Sequence, residues 1–343
     1  MKLIAKTVLL AACLLLVNCG DAPAEQMLQL SGNTMGTTYT LSVVSESTVS
    51  ADAISSLLES IENSMSTYRD DSELMQLNRA ELNTWLEVSP ALFEVISLSQ
   101  EISQLSDGAF DISVGPLVNL WGFGPPIPAN DLLPEAAEID TLLPNIGYQH
   151  IRLDPQQQAV MKTRDVALDL SAVAKGYAVD RIADLLETAG IDNYLVEIGG
   201  ELRTGGLNLE GNPWRIAIEN PESELSARQV QRIIAVGDAA IASSGDYRNF
   251  FTLNGERYSH TIDPRTGWPV SHDLVSVTVI TENAARADAL ATAFSVMGEN
   301  AAMLLAEENM IAAYFLRDSG GQLLESYSPA FSEFLVAEDN PSQ

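Results

Sequence analysis

The sequence predicts an α+β fold built from mixed helices and antiparallel-rich sheets. Apolar residues recur at helical spacing in some segments and at strand spacing in others, and the two kinds interleave without a regular βαβ rhythm. The chain has 343 residues, of which 46% are hydrophobic, so it is long enough to bury the core of one large domain or two. Its two cysteines, Cys13 and Cys19, lie near the N-terminus, so the body of the protein has neither a disulfide framework nor a cysteine zinc site.

The net charge excludes one class of partner. Acidic residues number 47 against 18 basic ones, which gives a formal charge of -29. Affinity for phosphate backbones comes from clustered Lys and Arg side chains. We therefore expect no nucleic-acid partner.

The N-terminal segment predicts an export signal. Lys2 and Lys6 precede an apolar run over 8–17, which has the length of the hydrophobic part of a secretory signal and is short for a transmembrane helix. The run ends at Leu16-Val17-Asn18-Cys19, which resembles a lipobox, although Asn18 departs from the usual small residue. We predict a signal peptide over 1–18, lipidation of Cys19 and a tether over 19–29. An ordinary signal peptide cleaved slightly later is the alternative.

Cleavage before Cys19 would change the charge and fix the location. It would remove two lysines and no acidic residue, leaving 16 basic residues against 47 acidic ones and a charge of -31. The lipid would then hold the protein on the periplasmic side of a bacterial membrane, with the inner membrane favoured.

The remaining elements follow from periodicity, capping residues and turn residues. In the first half of the chain we expect a strand at 38–44, helices at 51–65 and 90–105, a Gly- and Pro-rich loop at 121–134, and a hairpin at 150–161. A strand at 166–170 then runs into a helix at 172–189 and is followed by a strand-rich stretch with a hairpin turned by Asn254-Gly255. The last elements are a buried strand at 274–281, helices at 284–297 and 301–308, and a final hairpin at 311–327. These elements make up a domain over 30–330, as one unit or two subdomains, followed by a tail over 331–343.

Asp288 and Thr292 form the first candidate site. They lie four residues apart on a predicted helix and therefore share one face. A carboxylate and a hydroxyl flanked by alanines offer the oxygen ligands that Mg²⁺ prefers. We expect Asp288 to face the surface, so that its replacement leaves the fold intact. The simpler alternative is a solvated Asp288 beside a packed Thr292.

The segment 168–180 predicts an anion site, because a strand meets a helix N-terminus there through small residues. Lys175 lies at this junction, and Lys162 and Lys175 are the only lysines after residue 18. An acidic chain repels a polyanionic ligand over a Debye length of ~8 Å, so a phosphate site needs local positive charge. Lys175 and a bound metal would supply it. The alternative is a surface lysine on an amphipathic helix.

His260 is the candidate for proton transfer, since imidazole suits that role near neutral pH. It lies in the segment 257–267, where a strand runs into a turn that contains Pro and Gly. A lone histidine is more often a satisfied strand residue, and that is the interpretation we adopt for His150 and His272.

Eight motifs occur together in a fixed order. They are Met35-Gly-Thr-Thr-Tyr39, the segments 66–74, 107–124 and 168–180, Glu197-Ile-Gly-Gly-Glu201, and the segments 243–249, 258–267 and 287–292. In this order and spacing they resemble the FAD:protein FMN transferase family, also called the ApbE family. The resemblance covers roughly residues 30–325 and implies an ApbE-like architecture related to the T-fold.

The resemblance implies that the protein binds FAD with Mg²⁺, cleaves the pyrophosphate and transfers FMN to a Thr or Ser hydroxyl of an acceptor protein, releasing AMP. Its partners would be flavin-accepting proteins, such as subunits of membrane redox complexes, and the membrane through the lipid anchor. Two alternatives stay open. One is an FAD pyrophosphatase that hands FMN to water, and the other is a non-catalytic lipoprotein that carries a flavin.

By the same resemblance, the roles fall on particular residues. The metal ligands would be Asp288, Thr292 and the backbone carbonyl of Ala174. His260 would be catalytic, with Asp263 as a substitute in accepting the proton, and Lys175 would offset pyrophosphate charge. The other FAD contacts would be Met35, Tyr68, Ala109, Phe110, Asp111, Ser171, Tyr177 and Ile262.

Overall fold

The computed structural model describes residues 26–45, 49–124, 133–221, 229–245, 250–253 and 256–336. The predicted signal peptide, Cys19 and the Asn254-Gly255 turn lie outside these ranges. Within the described part of the chain, no helix is both long enough and apolar enough to span a membrane.

Helices interleave with antiparallel strands, which confirms the predicted α+β class. The strands are β1 (Gln26–Thr34), β2 (Thr37–Ser45), β3 (Leu86–Glu87), β4 (Ile151–Asp154), β5 (Ala159–Lys162), β6 (Tyr194–Ile198), β7 (Glu201–Gly205), β8 (Trp214–Glu219), β9 (Val230–Val236), β10 (Ala239–Gly245), β11 (Phe250–Leu253), β12 (Glu256–Ser259), β13 (Leu274–Thr281), β14 (Ala312–Asp318) and β15 (Leu323–Tyr327). One eight-stranded sheet runs β1-β2-β6-β7-β10-β13-β14-β15, and every neighbouring pair in it is antiparallel. Smaller sheets join β3-β5-β4, β8-β9 and β11-β12.

Several of the helices begin directly after a serine or asparagine cap. They are α1 (Ala51–Met65), α2 (Glu73–Arg79), α3 (Pro90–Leu105), α4 (Gly115–Leu120), α5 (Ala136–Leu142), α6 (Ala174–Thr188), α7 (Ala284–Met297) and α8 (Glu299–Glu308), with 3-10 turns at Leu143–Asn145, Tyr148–His150 and Pro329–Phe334. The side chains of Ser50, Ser89 and Asn283 each accept a hydrogen bond from the first turn of α1, α3 and α7. A side chain that satisfies a first-turn N–H fixes the residue at which a helix starts.

The large sheet is the middle layer of the molecule. Successive residues of β14 alternate between two cores, with Ala313 and Phe315 on the face covered by the helices. Ala312 and Tyr314 face the other core, under the β8-β9 hairpin and the 3-10 turn at Pro329–Phe334. Because both faces are covered, the strand reads as a continuous apolar run.

The predicted strand at 166–170 is wrong. This segment makes a single bridge, between Ala167 and Val114, and joins no sheet. Leu168 and Leu170 are buried. The period-two pattern therefore reports the burial of alternate residues along an extended segment and not a hydrogen-bonded ladder.

Several predicted boundaries shift. Residues 26–29, expected in the tether, are the first part of β1 and pair with β2. The expected tail starts with packed residues, since Phe331 is fully buried and stacks on Tyr314 at 5.3 Å between ring centroids. The helix expected from 172 begins at Ala174, and the one expected from 301 begins at Glu299.

Candidate functional site

The centre of the site is the crossing of α6 and α7. A Cβ atom on Gly176 would lie 2.2 Å from the carbonyl oxygen of Ala284, so only glycine permits this approach. One turn further along α6, the Asp180 carboxylate accepts hydrogen bonds from the N–H groups of Ala284 and Ala285 at 2.8 and 2.9 Å. An acid at a helix N-terminus satisfies free N–H groups and complements the helix dipole. The two helices are therefore held in one register.

This register brings Asp288 to the N-terminus of α6. Its Oδ2 accepts a hydrogen bond from the N–H of Gly176 at 3.2 Å. Ala174, the first residue of α6, lies at the same end of the helix. Thr292 follows one turn after Asp288 and is partly exposed. The three predicted metal ligands thus belong to two helix segments in direct contact.

Asp288 is not the surface-facing residue that we expected. Only 5% of its surface is exposed. The small side chains that flank it let α6 pack directly over it, so that the carboxylate is covered by backbone. A replacement without an acceptor would leave the Gly176 N–H unpaired in a buried place, so we expect it to destabilise the fold.

Lys175 is paired with two buried acids. Its Nζ lies 2.8 Å from Oε1 of Glu201 and 3.8 Å from Oδ2 of Asp288. Gly199, at φ +63°, lies against the lysine stem, and a Cβ there would be 3.4 Å from Cδ of Lys175 and 2.9 Å from Cγ2 of Thr37. Lys175 is therefore part of an ordered ionic centre, and the alternative of a solvated surface lysine does not describe it.

Glu201 was missed as a site residue. It begins β7 and is 5% exposed, and its Oε2 is buried without a hydrogen-bond partner among the described residues. The sequence carried one signal, because Glu201 closes the motif Glu197-Ile-Gly-Gly-Glu201. Nothing local indicated its contact with a lysine 26 residues earlier in the chain.

The pKa values of Glu201, Asp288 and Lys175 are all raised by their surroundings. Burial raises the pKa of Glu201 to about 7, with Lys175 acting against the shift and Asp288 adding to it. Burial also raises the pKa of Asp288, again against the effect of Lys175. For Lys175, burial favours a lower pKa, but the two carboxylates outweigh it and the pKa is raised. The lysine is therefore charged at neutral pH.

The residues at this crossing fit a small hard cation. A carboxylate, a hydroxyl and a backbone carbonyl are the oxygen donors that Mg²⁺ accepts, with water or phosphate oxygens filling the other positions. The buried Oε2 of Glu201 lacks a partner, and one ammonium faces two carboxylates. Within the described ranges, no group of three or more His, Cys, Asp and Glu side chains has the arrangement of a metal site, so a cation here would depend on the hydroxyl and carbonyl donors.

Met35 and Tyr68 are brought together through Glu62. Met35 lies in the turn between β1 and β2 at φ +48°, and its N–H donates to Oε1 of Glu62 at 3.0 Å. The other carboxylate oxygen of Glu62 accepts from Arg69 at 2.7 Å, beside the exposed Tyr68. An open groove lies here, lined by residues 33–38 and Glu62.

This groove adjoins the ionic centre. Thr37 lines the groove and also lies against Gly199, next to the stem of Lys175. The structure therefore places Met35 and Lys175 on either side of Thr37, while Tyr68 lies next in the chain to Arg69, the partner of Glu62.

The residues predicted at 109–111 are buried. Phe110 belongs to the main core, and Ala109 is 1% exposed. Asp111 accepts hydrogen bonds from the N–H and hydroxyl of Ser113 and from the N–H of Tyr148, although burial raises its pKa. These buried side chains hold the loop in place. A flavin contact at 109–111 would therefore be made by the atoms of this loop that reach the surface.

His260 and Ile262 lie in an aromatic region. His260 is partly buried and packs edge-on against Phe123, with ring centroids 6.3 Å apart. Ile262 is buried in a small apolar cluster with Trp121, whose indole N–H donates to the carbonyl of Gly267 at 2.9 Å. The segment 260–267 is thus contacted by Phe123 at its beginning and by Trp121 at its end.

Asp263 is a poor substitute for His260. Both of its carboxylate oxygens accept from the Arg265 guanidinium, each at 2.9 Å. A two-point pair of this kind fixes the orientation of the carboxylate and engages both of its oxygens. This contact leaves His260 as the stronger candidate for proton transfer.

Two further predicted FAD contacts, Tyr177 and Ser171, have partners outside the ionic centre. Tyr177 follows Lys175 by two positions on α6, which turns it to another side of the helix. Its hydroxyl lies 3.4 Å from Oε2 of Glu94 on α3, and Arg181 stands 5.0 Å from its ring centroid. Ser171 is exposed in the segment before α6, where its N–H donates to Asp169. Their roles toward FAD stay predictions.

Comparisons with known proteins show the family to which the chain belongs. The ApbE family model matches residues 35–315. The FAD:protein FMN transferase of Vibrio cholerae is 44% identical over 334 residues, covering 96% of this chain and 98% of that protein. The FAD:protein FMN transferase of Escherichia coli is 40% identical and covers 98% of both chains.

A solved structure shows that the likeness extends to the fold. The flavin transferase ApbE from Vibrio cholerae matches with a TM-score of 0.83 and 41% identity, covering 91% of this chain and all of that one. The residues matched by the family model, 35–315, include the α6-α7 crossing, the β1-β2 turn and the segment of His260. The chain is a member of the ApbE family.

Proposed function

We propose that this protein transfers the FMN half of FAD to a Thr or Ser hydroxyl of an acceptor protein and releases AMP. The observation that carries the proposal is the ionic centre at the N-terminus of α6, where partly exposed Lys175 meets the buried acids Glu201 and Asp288. It occurs in a chain whose relatives are named FAD:protein FMN transferases at 37–44% identity over nearly their full length.

The reaction is a displacement at the phosphorus of FMN. The acceptor oxygen forms a bond to that phosphorus, the bond to the bridging oxygen of the pyrophosphate breaks, and AMP leaves with the electron pair. The hydroxyl proton passes to a base. Little covalent chemistry falls to the protein, so positioning and charge stabilisation should supply most of the catalysis.

The cation site would be formed by Asp288, Thr292 and the carbonyl of Ala174. A Mg²⁺ ion bound there would neutralise charge on the pyrophosphate oxygens. Lys175 carries a fixed positive charge beside it, on the side that adjoins the groove of Met35. These residues give an overall acidic protein a local site for a polyanion.

His260 would accept the proton of the acceptor hydroxyl. Its segment is anchored by Trp121 and Phe123, so the imidazole is held on a rigid support. Its only rival in the segment, Asp263, is occupied by Arg265.

The acceptors are proposed to be flavin-carrying proteins on the periplasmic side, such as subunits of membrane redox complexes. Lipidation at Cys19 would hold the enzyme on the same side of the membrane as these acceptors. Both statements rest on the N-terminal sequence and on the family.

The test is incubation of the protein with FAD, Mg²⁺ and a candidate acceptor, followed by intact-mass measurement and in-gel flavin fluorescence. We expect the acceptor to gain one FMN, with AMP released in equal amount. An acceptor with Val at the modified Thr is the matched control and should gain nothing. Release of free FMN with an unmodified acceptor would show a pyrophosphatase, and unchanged FAD would show a carrier.

A further inference from the structure

The charges at the α6-α7 crossing do not balance. One ammonium, on Lys175, lies between the carboxylates of Glu201 and Asp288. Both acids are at most 5% exposed. An excess negative charge in a buried place is costly unless a cation or hydrogen bonds offset it.

The lysine is shared unequally between the two acids. Its Nζ is 2.8 Å from Glu201 but 3.8 Å from Asp288, so the direct hydrogen bond goes to Glu201. Asp288 is left with the N–H of Gly176 on Oδ2. A cation that binds Asp288 would compete with the lysine for the same carboxylate.

We propose that Glu201 is a positioning residue for the cation site, which retains the ammonium of Lys175 and so leaves Asp288 available to Mg²⁺. Lys175 is a competitor of the cation at Asp288, and Glu201 limits that competition. The inference rests on the proposed function only for the identity of the cation.

The structure explains why the retention works. Gly199 allows the lysine stem to pass under the β6-β7 turn, since a side chain there would meet both Thr37 and Lys175. Glu201 is fixed at the start of β7, which pairs with both β6 and β10. The lysine is therefore drawn toward a rigid strand, while Asp288 belongs to the facing helix.

The experiment is calorimetric titration of Mg²⁺ without FAD or acceptor, on the wild type, Glu201→Gln, Lys175→Met and the double variant. In Glu201→Gln the lysine keeps at most a neutral acceptor at position 201, so that Asp288 is its only charged partner, and we expect Mg²⁺ to bind at least about tenfold more weakly. Lys175→Met should bind at least as tightly as the wild type. In the Lys175→Met background, Glu201→Gln should change the affinity less than about threefold. Double-mutant cycles isolate such a pairwise effect.

Two controls keep the result interpretable. Asp184→Asn removes one negative charge from α6 where Asp184 pairs with Arg181 and Arg203, and it should leave Mg²⁺ affinity near the wild-type value. Thermal unfolding of each variant checks the fold. If Lys175→Met does not fold, Lys175→Gln takes its place, because glutamine is uncharged and can still donate to Glu201.

The outcomes separate this inference from the proposed function. Equal weakening by Glu201→Gln in both backgrounds would make Glu201 a ligand in its own right and overturn the retention. No weakening in the native background would overturn it as well. A wild type that binds no Mg²⁺ would overturn both proposals. The expected pattern without any FMN transfer would support the retention and contradict only the transferase activity.

Discussion

Glu62 ties together two of the residues predicted to contact the flavin. It accepts hydrogen bonds from the Thr34 hydroxyl at 2.9 Å and the Met35 N–H at 3.0 Å, and it pairs with Arg69 at 2.7 Å. The Met35 turn needs a positive φ that side-chain-bearing residues rarely adopt. Glu62 stabilises this conformation and connects it to Arg69, the residue after Tyr68.

We expect Glu62→Ala to weaken FAD binding by about tenfold or more, because loss of charge-assisted hydrogen bonds costs roughly 1.5–3 kcal/mol each. Quenching of flavin fluorescence measures the affinity. Glu59→Ala is the matched control, since Glu59 also pairs with Arg69 at 2.6 Å but is more exposed, and the N–H of Met35 donates to Glu62 instead. Equal loss in the two variants would point to Arg69 alone and not to the turn.

His260→Ala should separate transfer from binding. General acid-base help is typically worth ~10²–10⁴-fold in rate, and we expect FMN transfer to fall by about that factor while FAD affinity changes little. His150→Ala, in a histidine with no predicted role, should leave transfer intact. Equal loss of binding and transfer would make His260 a ligand contact, and loss of neither would make it a structural residue.

Asp288→Asn tests the cation site with the least change in volume. We expect Mg²⁺ binding to be lost and transfer to fall at least ~10²-fold, the scale associated with removal of one electrostatic stabiliser. The amide can still accept the Gly176 hydrogen bond, so the α6-α7 contact should survive. Calorimetry and thermal unfolding together check this. Unchanged transfer at saturating Mg²⁺ would contradict the metal assignment.

At the scale of elements, the close contact between α6 and α7 is what positions Asp288. We expect Gly176→Ala to destabilise the protein by roughly 1–3 kcal/mol, the usual cost of overpacking, and to weaken Mg²⁺ binding because the helices must separate. Thermal unfolding and calorimetry measure the two effects.

Gly237→Ala is the control for the glycine replacement. A Cβ at Gly237 would meet no atom within 4 Å, and we expect stability within about 0.5 kcal/mol of the wild type. A Gly176→Ala variant as stable as this control, with normal Mg²⁺ affinity, would show that the crossing tolerates a wider spacing.

Elements that are marked by their own residues were predicted with the right bounds. The bounds of α1, α3, α7 and β13 coincide with those read from the sequence, because serine or asparagine caps and clear periodicity mark them. The polar edge strand β1 was missed, since every second residue faces solvent or an open groove and gives no apolar pattern. The strand predicted at 166–170 was wrong, because buried and partly exposed residues can alternate along an extended segment that joins no sheet.

The site was predictable to the extent that its parts are local. The pairing of Asp288 with Thr292 follows from helical spacing, and Lys175 from its place at a helix start. Glu201 and Glu62 were not found, because each acts through partners that the fold brings from distant segments. The burial of Asp288 depends likewise on α6, which lies about a third of the chain away.

At the scale of the whole molecule, the charge of -29 shapes both binding and stability. Its few cations are shared, since Arg203 pairs with Asp180, Asp184 and Glu187. Lys175 is held in the same manner between two acids. Each of these cations is outnumbered by its acidic partners, so a polyanionic substrate would need a bound metal cation to offset the negative field.

This excess charge should make the protein more stable in moderate salt. Raising the ionic strength from about 0.01 M to about 0.1 M shortens the Debye length from ~30 Å to ~10 Å, which screens repulsion among many surface carboxylates. It also weakens exposed ion pairs, but each of these contributes only about 0–1 kcal/mol. Because the acidic residues outnumber the basic ones by 29, we expect the loss of repulsion to dominate. A gain of about 1 kcal/mol in the free energy of unfolding would raise Tm by roughly 2 °C in a domain of this size. Thermal unfolding in NaCl and in KCl, with a chelator to remove divalent cations, measures the effect. We expect equal rises in Tm in the two salts, because screening does not depend on the cation. A fall in Tm would show that the ion pairs outweigh the repulsion.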